Sequence, residues 1–414
     1  MSFYGIIKKN ETKYKYGKNK RNIPFYKFYP RNCEKNQIGL IACKIDIKED
    51  MFAICELLKF NEKINYNQYN VIKYIGPCSN YDAQINIRLF ELELHRYKKI
   101  MINDGLGSDL DSGSNDVNCF SIDPEGCKDI DDAFSFDDDY FYVYISNPKL
   151  SPFDIKTSFK SSIYPPNCEP IHMIENFADG SLLPNQKRSV ITYKFDIKTH
   201  DYINQYEEYI TNKNTYNYDN VPMYIIAKME SMGFYDTHKW VAYWMVKVGR
   251  VVALDEKTQI YRTPVPDSMR CEYSFNKQHH PEFNEYYTHS TSPLRRLVDN
   301  LRFTKISNED LQIINDWDKK TKKIHNEWRF IEFVHKNKLN SKTLKTRGLF
   351  MGEEVHEIEI TLKFKLIEEN IIVYFEKFEN DYEVGKEYDL ELFFNNYKIK
   401  LFAPGIFPPG NHIN

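Results

Sequence analysis

Four aspartates crowd into the ten residues from Asp123 to Asp132, within the stretch Ser121-Ile122-Asp123-Pro124-Glu125-Gly126-Cys127-Lys128-Asp129-Ile130-Asp131-Asp132-Ala133. Lys128 is their sole local counter-charge. Carboxylates packed this way repel one another. Either a cation neutralises them, or their pKa values climb and some stay protonated. Pro124-Glu125-Gly126 reads as a turn that lets the chain fold back and aim Asp123 at the other three. Carboxylate oxygens suit Mg2+ or Mn2+ rather than zinc, and two such ions are standard equipment for in-line displacement at phosphorus. The turn glycine and terminal glutamate of a calcium hand are not at the required spacing. An acidic cluster alone is more often a solvated loop, so a second stretch carries weight.

That stretch is Tyr287-Thr288-His289-Ser290-Thr291-Ser292-Pro293-Leu294-Arg295-Arg296. It offers hydroxyls and two adjacent guanidinium groups, both suited to phosphate oxygens. Together the two stretches resemble the RNB catalytic domain of the RNase II, RNase R and exosome exoribonuclease family. That family carries T-I-D, an acidic residue six further on, then x-D-D, a spacing met here by Asp123, Asp129, Asp131 and Asp132. Its second signature, Y-x-H-x-T-S-P-I-R-R, is met from Tyr287 to Arg296 with Leu294 for isoleucine.

The resemblance implies a Mg2+-dependent 3′-to-5′ exoribonuclease, with Mn2+ as the alternative ion, that hydrolyses single-stranded RNA to nucleoside 5′-monophosphates. Asp123, Asp129 and Asp132 would hold a metal ion, and Asp131 would help bind a second or orient the attacking water. Arg295 would brace the scissile phosphate. Arg188, Tyr216, Thr291, Ser292 and Arg296 fall at substrate-contacting positions, Tyr216 where the family stacks a base. His289 reads as structural. Three positions depart from the family: Asn147 replaces an aspartate, Tyr243 a glutamate that helps hold the terminal nucleotide, and Gly249 an asparagine. The rival readings are a catalytically impaired RNB-fold protein that only binds RNA, and a metal-dependent endonuclease.

A chain of 414 residues has room for two or three domains. The resemblance implies an α+β architecture in which an RNB catalytic domain at 118–345 is flanked by small OB-type β-barrels. One is a cold-shock-like domain at 1–80. A helix and a Gly/Ser/Asp-rich linker follow at 81–117, and the second β domain covers 346–414. Short strands with basic and aromatic residues interleaved suit a barrel that grips single strands, with Tyr14, Tyr16, Phe25, Tyr26 and Phe28 as candidate stacking rings. Periodicity predicts helices over 85–100, 221–254 and 311–339, and strands at 140–146 and from residue 357 onward.

The net charge of −3 does not announce a nucleic-acid binder, but its distribution is uneven. Ten Lys/Arg lie between Lys8 and Lys35, the balance turns acidic from Asp104 to Asp139, and it is basic again from Arg295 to Arg347. Eight cysteines without a C-x-x-C pair suggest reduced thiols and a cytoplasmic location. No apolar run is long enough to span a bilayer.

Overall fold

The computed structural model describes residues 2–10, 16–31, 38–61, 66–103, 118–266, 270–339, 342–356, 359–376, 382–395 and 398–402. Tyr14 and the Gly/Ser/Asp-rich stretch at 104–116 lie outside them. Two compact units divide the chain. One comprises Met1–Leu94, Pro165–Cys168 and Lys320–Asn414, the other His95–Tyr164 and Glu169–Lys319.

The first unit begins with β1 (Ser2–Lys8), β2 (Phe25–Pro30), β3 (Gly39–Ala42), β4 (Met51–Asn61) and β5 (Tyr66–Pro77). They close into a barrel in the order β1-β2-β3-β5-β4, with β3 and β5 parallel. This is the connectivity of an OB barrel. Alternation along β2 turns Tyr26 and Phe28 inward, where both are buried with Phe3, Ile7, Ile41 and Tyr69. Those two rings are core residues and not stacking platforms, whereas Tyr16 and Phe25 stay half-buried. Helix α1 (Tyr81–Glu91) follows, capped by the Asn80 side chain, which accepts from the Ala83 amide. It starts four residues before the predicted segment and gives way to a short 3-10 turn at Leu94–Arg96.

The second unit is built on another barrel: β6 (Cys119–Ile122), β7 (Asp132–Phe136), β8 (Tyr140–Ser146), β9 (Lys187–Asp196) and β10 (Tyr202–Tyr216). Its strands follow chain order as antiparallel neighbours, and a parallel β10–β6 pair closes the ring. The segment read as one helix over 221–254 is two, α2 (Met223–Ser231) and α3 (Thr237–Leu254). Gly233, at a φ of 85°, ends the first. The Asp236 side chain caps the second by accepting from Lys239 N. Trp240, Trp244, Val248 and Val252 form one stripe of α3 that packs onto Phe134, Phe141 and Phe195 of the barrel. Burying each such side chain stabilises the fold by roughly 1.5–3 kcal/mol.

Two short hairpins, β11 (Tyr261–Pro264) with β12 (Cys271–Ser274) and β13 (His279–His280) with β14 (Glu285–Tyr286), precede α4 (Leu297–Leu301) and the long α5 (Asn308–Lys336). The first unit then resumes with β15 (Thr343–His356), β16 (Glu359–Leu366), β17 (Ile371–Glu376), β18 (Glu387–Asn395) and β19 (Lys398–Phe402). They form a five-stranded sheet in the order β17-β16-β15-β18-β19. That is the OB order opened at one seam, since among the described residues β17 and β19 are not paired. No helix among the described residues is long and apolar enough to cross a membrane.

Candidate active site

The acidic stretch joins β6 to β7, and the barrel holds it at both ends. Asp123 follows β6, and its amide donates to the carbonyl of Tyr216 at the end of β10. The turn is as the sequence predicts: Cys127 N donates to Pro124 O at 3.1 Å, and Gly126 takes a φ of 78° that only glycine adopts freely. Beyond it, the buried Ser181 hydroxyl accepts from Ile130 N and donates to Lys128 O, while Leu182 N donates to Ile130 O. Arg188 fastens that support in turn. Its guanidinium donates to the carbonyls of Ser181, Lys187 and Ala178 and to the Gln186 side chain. The structure places Arg188, expected at substrate, in this supporting network. Its three nitrogens are bound to the protein's own loop, and it orders the aspartate segment from behind.

The second stretch meets the first here. Asp131 is 3% exposed, and both its oxygens are used: Oδ1 accepts from Leu294 N at 2.8 Å and Oδ2 from Arg295 Nε at 3.0 Å. Ser162 N donates to Arg295 O, and Leu297 N donates to Lys160 O, so the 160–163 segment runs alongside the arginines. Arg295 keeps 52% of its side-chain surface open, which leaves guanidinium edge for an anion.

Arg296 behaves differently. Its Nε and Nη2 fork onto Oδ1 and Oδ2 of the fully buried Asp299, at 2.7 and 2.9 Å. Thr291 and Ser292 are buried, and Ser292 N donates to the same Asp299 at 2.7 Å. Arg296, Thr291 and Ser292, expected at substrate, build the turn that presents Arg295. His289 accords with a structural reading, since its Nδ1 pairs with the Tyr273 hydroxyl at 2.7 Å.

Electrostatics around the four carboxylates follow from crowding. Burial pushes Asp131 up to about 7, opposed by Arg295 and the Leu294 amide. Burial likewise raises Asp123 to about 6, with Ser121 and Arg295 opposing and Asp129 adding to the rise. Asp132 is held well above the usual carboxylate range by burial and by the charges of Asp123 and Asp131. A group in this state binds a proton or a cation to relieve its charge. Asp123 Oδ2 is buried with no hydrogen-bond partner, a free oxygen donor.

The donor chemistry therefore fits a hard divalent ion. Yet among the described residues no three Asp, Glu, His or Cys side chains converge closely enough to hold one.

Three neighbours stand beside these carboxylates, and of them only Tyr164 falls in a stretch, Ser162-Ile163-Tyr164, that resembles a family segment. The Tyr164 hydroxyl donates to Asp129 Oδ2, and His172 Nδ1 lies 3.8 Å from the same oxygen, its ring stacked on Phe177. Tyr218, stacked on His238 at 3.9 Å, is raised by burial and by the charges of Asp132 and Asp123. His172 and Tyr218 have no spacing in the sequence to mark them. Tyr216 is half-buried and rests against Phe120 at 6.1 Å.

Of the departing positions, Asn147 donates its amide to Ser189 O at 3.0 Å. Tyr243 turns to His200 Nδ1 at 3.1 Å and to the Phe234 ring, and it contributes to none of the aspartate interactions described above. Gly249 has a physical reason, because a Cβ there would overlap the Tyr287 ring and the Thr288 carbonyl.

A five-stranded barrel with an acidic β6–β7 connection facing an arginine turn, in a chain that also carries an OB barrel and an OB-ordered sheet, is the fold of the RNB-domain proteins. Among solved structures, Mycoplasma genitalium RNase R bound to ribose-methylated single-stranded RNA superposes with a TM-score of 0.64 at 14% identity, covering 97% of this chain and 89% of that one. The same enzyme bound to double-stranded RNA gives 0.63 at 15% identity, covering 97% and 95%. Yeast Ssd1, described as a pseudonuclease, gives 0.56 at 12% identity, covering 97% and 67%. No protein-family model and no curated protein matches the sequence. The fold is thus one that serves both a ribonuclease and a protein that has lost that activity.

Proposed function

We propose that this protein is a metal-dependent 3′-to-5′ exoribonuclease that releases nucleoside 5′-monophosphates from single-stranded RNA. One observation carries the reading: the half-open guanidinium of Arg295 is anchored on Asp131 beside three further carboxylates, two of them with raised proton affinity. Asp123, Asp129 and Asp132, which are not gathered into a ligand set in this structure, would have to draw together to hold Mg2+ or Mn2+, which would supply an activated water and neutralise phosphate charge. Asp131 fixes the direction of Arg295, whose open edge faces the charge that builds on phosphorus. The domain reading accompanies this proposal, with catalysis within 118–345 and strand binding by 1–80 and 346–414.

A second reading has its own support. Each oxygen of Asp131 accepts a hydrogen bond from the arginine turn, a structural use of that carboxylate which suits an RNA-binding protein of the pseudonuclease kind. Product analysis separates the two. Incubation of single-stranded RNA with Mg2+ and chromatography of the digest is expected to yield nucleoside 5′-monophosphates. Internal fragments would instead indicate an endonuclease, and recovery of intact RNA would leave the binding protein.

A further inference from the structure

Arg295 and Arg296 are adjacent, yet one keeps half its side-chain surface open and the other is forked onto a buried carboxylate. The cause lies in α4. Asp299 is 0% exposed, and its carboxylate takes three donors: Ser292 N, Arg296 Nε and Arg296 Nη2. Its backbone carbonyl takes a fourth from Arg302. Within the same turn, Ser292 O accepts from the amides of Arg295 at 3.2 Å and Arg296 at 2.9 Å. The side chain of Asp299 therefore clamps the turn at Ser292 and at Arg296, and Arg295 is the residue between the clamped points that faces the other way. A buried carboxylate is tolerated only when paired and hydrogen-bonded, so removing its charge also takes the partner from the half-buried guanidinium of Arg296.

We infer that Asp299 is a positioning residue for Arg295, working through the Ser292–Arg296 turn and touching neither substrate nor metal. The inference rests on the proposed role of Arg295 at phosphate for its kinetic consequence, but not for its geometry. Asp299 sets which of two neighbouring guanidiniums is offered to the anion, and Asp131 then fixes that offered group through its Nε.

The geometric test uses the full chain labelled with 15N-arginine. The Nε–H signal of Arg295 is identified by its loss in Arg295→Lys, and in the wild type the bond to Asp131 should hold it shifted and slow to exchange. In Asp299→Asn it is expected to move to the position of free arginine side chains. In Arg296→Lys, which keeps the charge but loses the fork, it should move part of the way. The Lys variant decides the matter should Asp299→Asn fail to fold. The kinetic arm expects kcat on single-stranded RNA to fall about 100-fold in Asp299→Asn with KM little changed, the signature of a misaimed group. An unmoved Arg295 signal in a folded variant overturns the inference. Absence of cleavage by the wild type would sink the proposed function alone, because the resonance still reports on the clamp.

Discussion

Asp131 is buried, doubly hydrogen-bonded and still raised to about 7, because burial outweighs the help of one half-open arginine. The sign of its effect on stability follows from linkage. Asp123 and Asp131 titrate at about 6 and about 7 in the folded protein against an ordinary 3.8, so the metal-free fold binds protons more tightly than the unfolded chain. Their stabilising contribution is complete below about pH 4 and is lost as pH rises through 6 to 7. The expected outcome in calorimetry with chelator is a smaller loss of unfolding temperature between pH 5 and pH 8 in Asp131→Asn than in the wild type. Added Mg2+ should restore wild-type stability at pH 8.

Gly249 gives a second expectation at this scale. Gly249→Ala should cost about 1–3 kcal/mol by forcing the Tyr287 ring and Thr288 carbonyl to yield, as urea unfolding would register. The aspartates and Arg295 were legible in the sequence because their spacing is fixed by one tight turn apiece. For Arg188, Arg296, Thr291 and Ser292 the motifs marked the residues but not the bonds they make within the protein, since a sequence does not say which face of a turn points inward.

Among the elements, helices announced themselves and polar strands did not. The apolar stripe of α3 was readable, but its separation from α2 depends on Gly233 and on the Asp236 cap, small features inside a continuous apolar pattern. Asp236→Ala should cost about 1 kcal/mol, measured by thermal unfolding, with no change in RNA binding. Strands β9 and β10 escaped the sequence reading. β10 in particular carries exposed Asn204, Glu207 and Asn214 along fifteen residues, and its outward face hides the alternation that marks a strand. They nevertheless close the barrel, and the β10–β6 pair is what brings Tyr216 beside Asp123. The terminal sheet was legible from its alternating strands beyond residue 357, but its central strand β15 was missed, and only the register shows its OB order.

The whole molecule carries a net charge of −3, and its overall composition therefore says little about a polyanionic partner. What speaks for catalysis is local: the adjacent Leu294 and Arg295, 163 and 164 residues from Asp131 in sequence, meet the two oxygens of that one buried aspartate. A fold shared with both an RNase R and a pseudonuclease leaves the decision to that site. The direct measurement follows 5′-labelled single-stranded RNA with and without Mg2+, using the wild type and Asp131→Asn, alongside retention of the same RNA on each protein. The account predicts a ladder that shortens from the 3′ end only with wild type and metal, while Asp131→Asn retains RNA equally well and leaves it intact. RNA held by the wild type with Mg2+ and never shortened would contradict it.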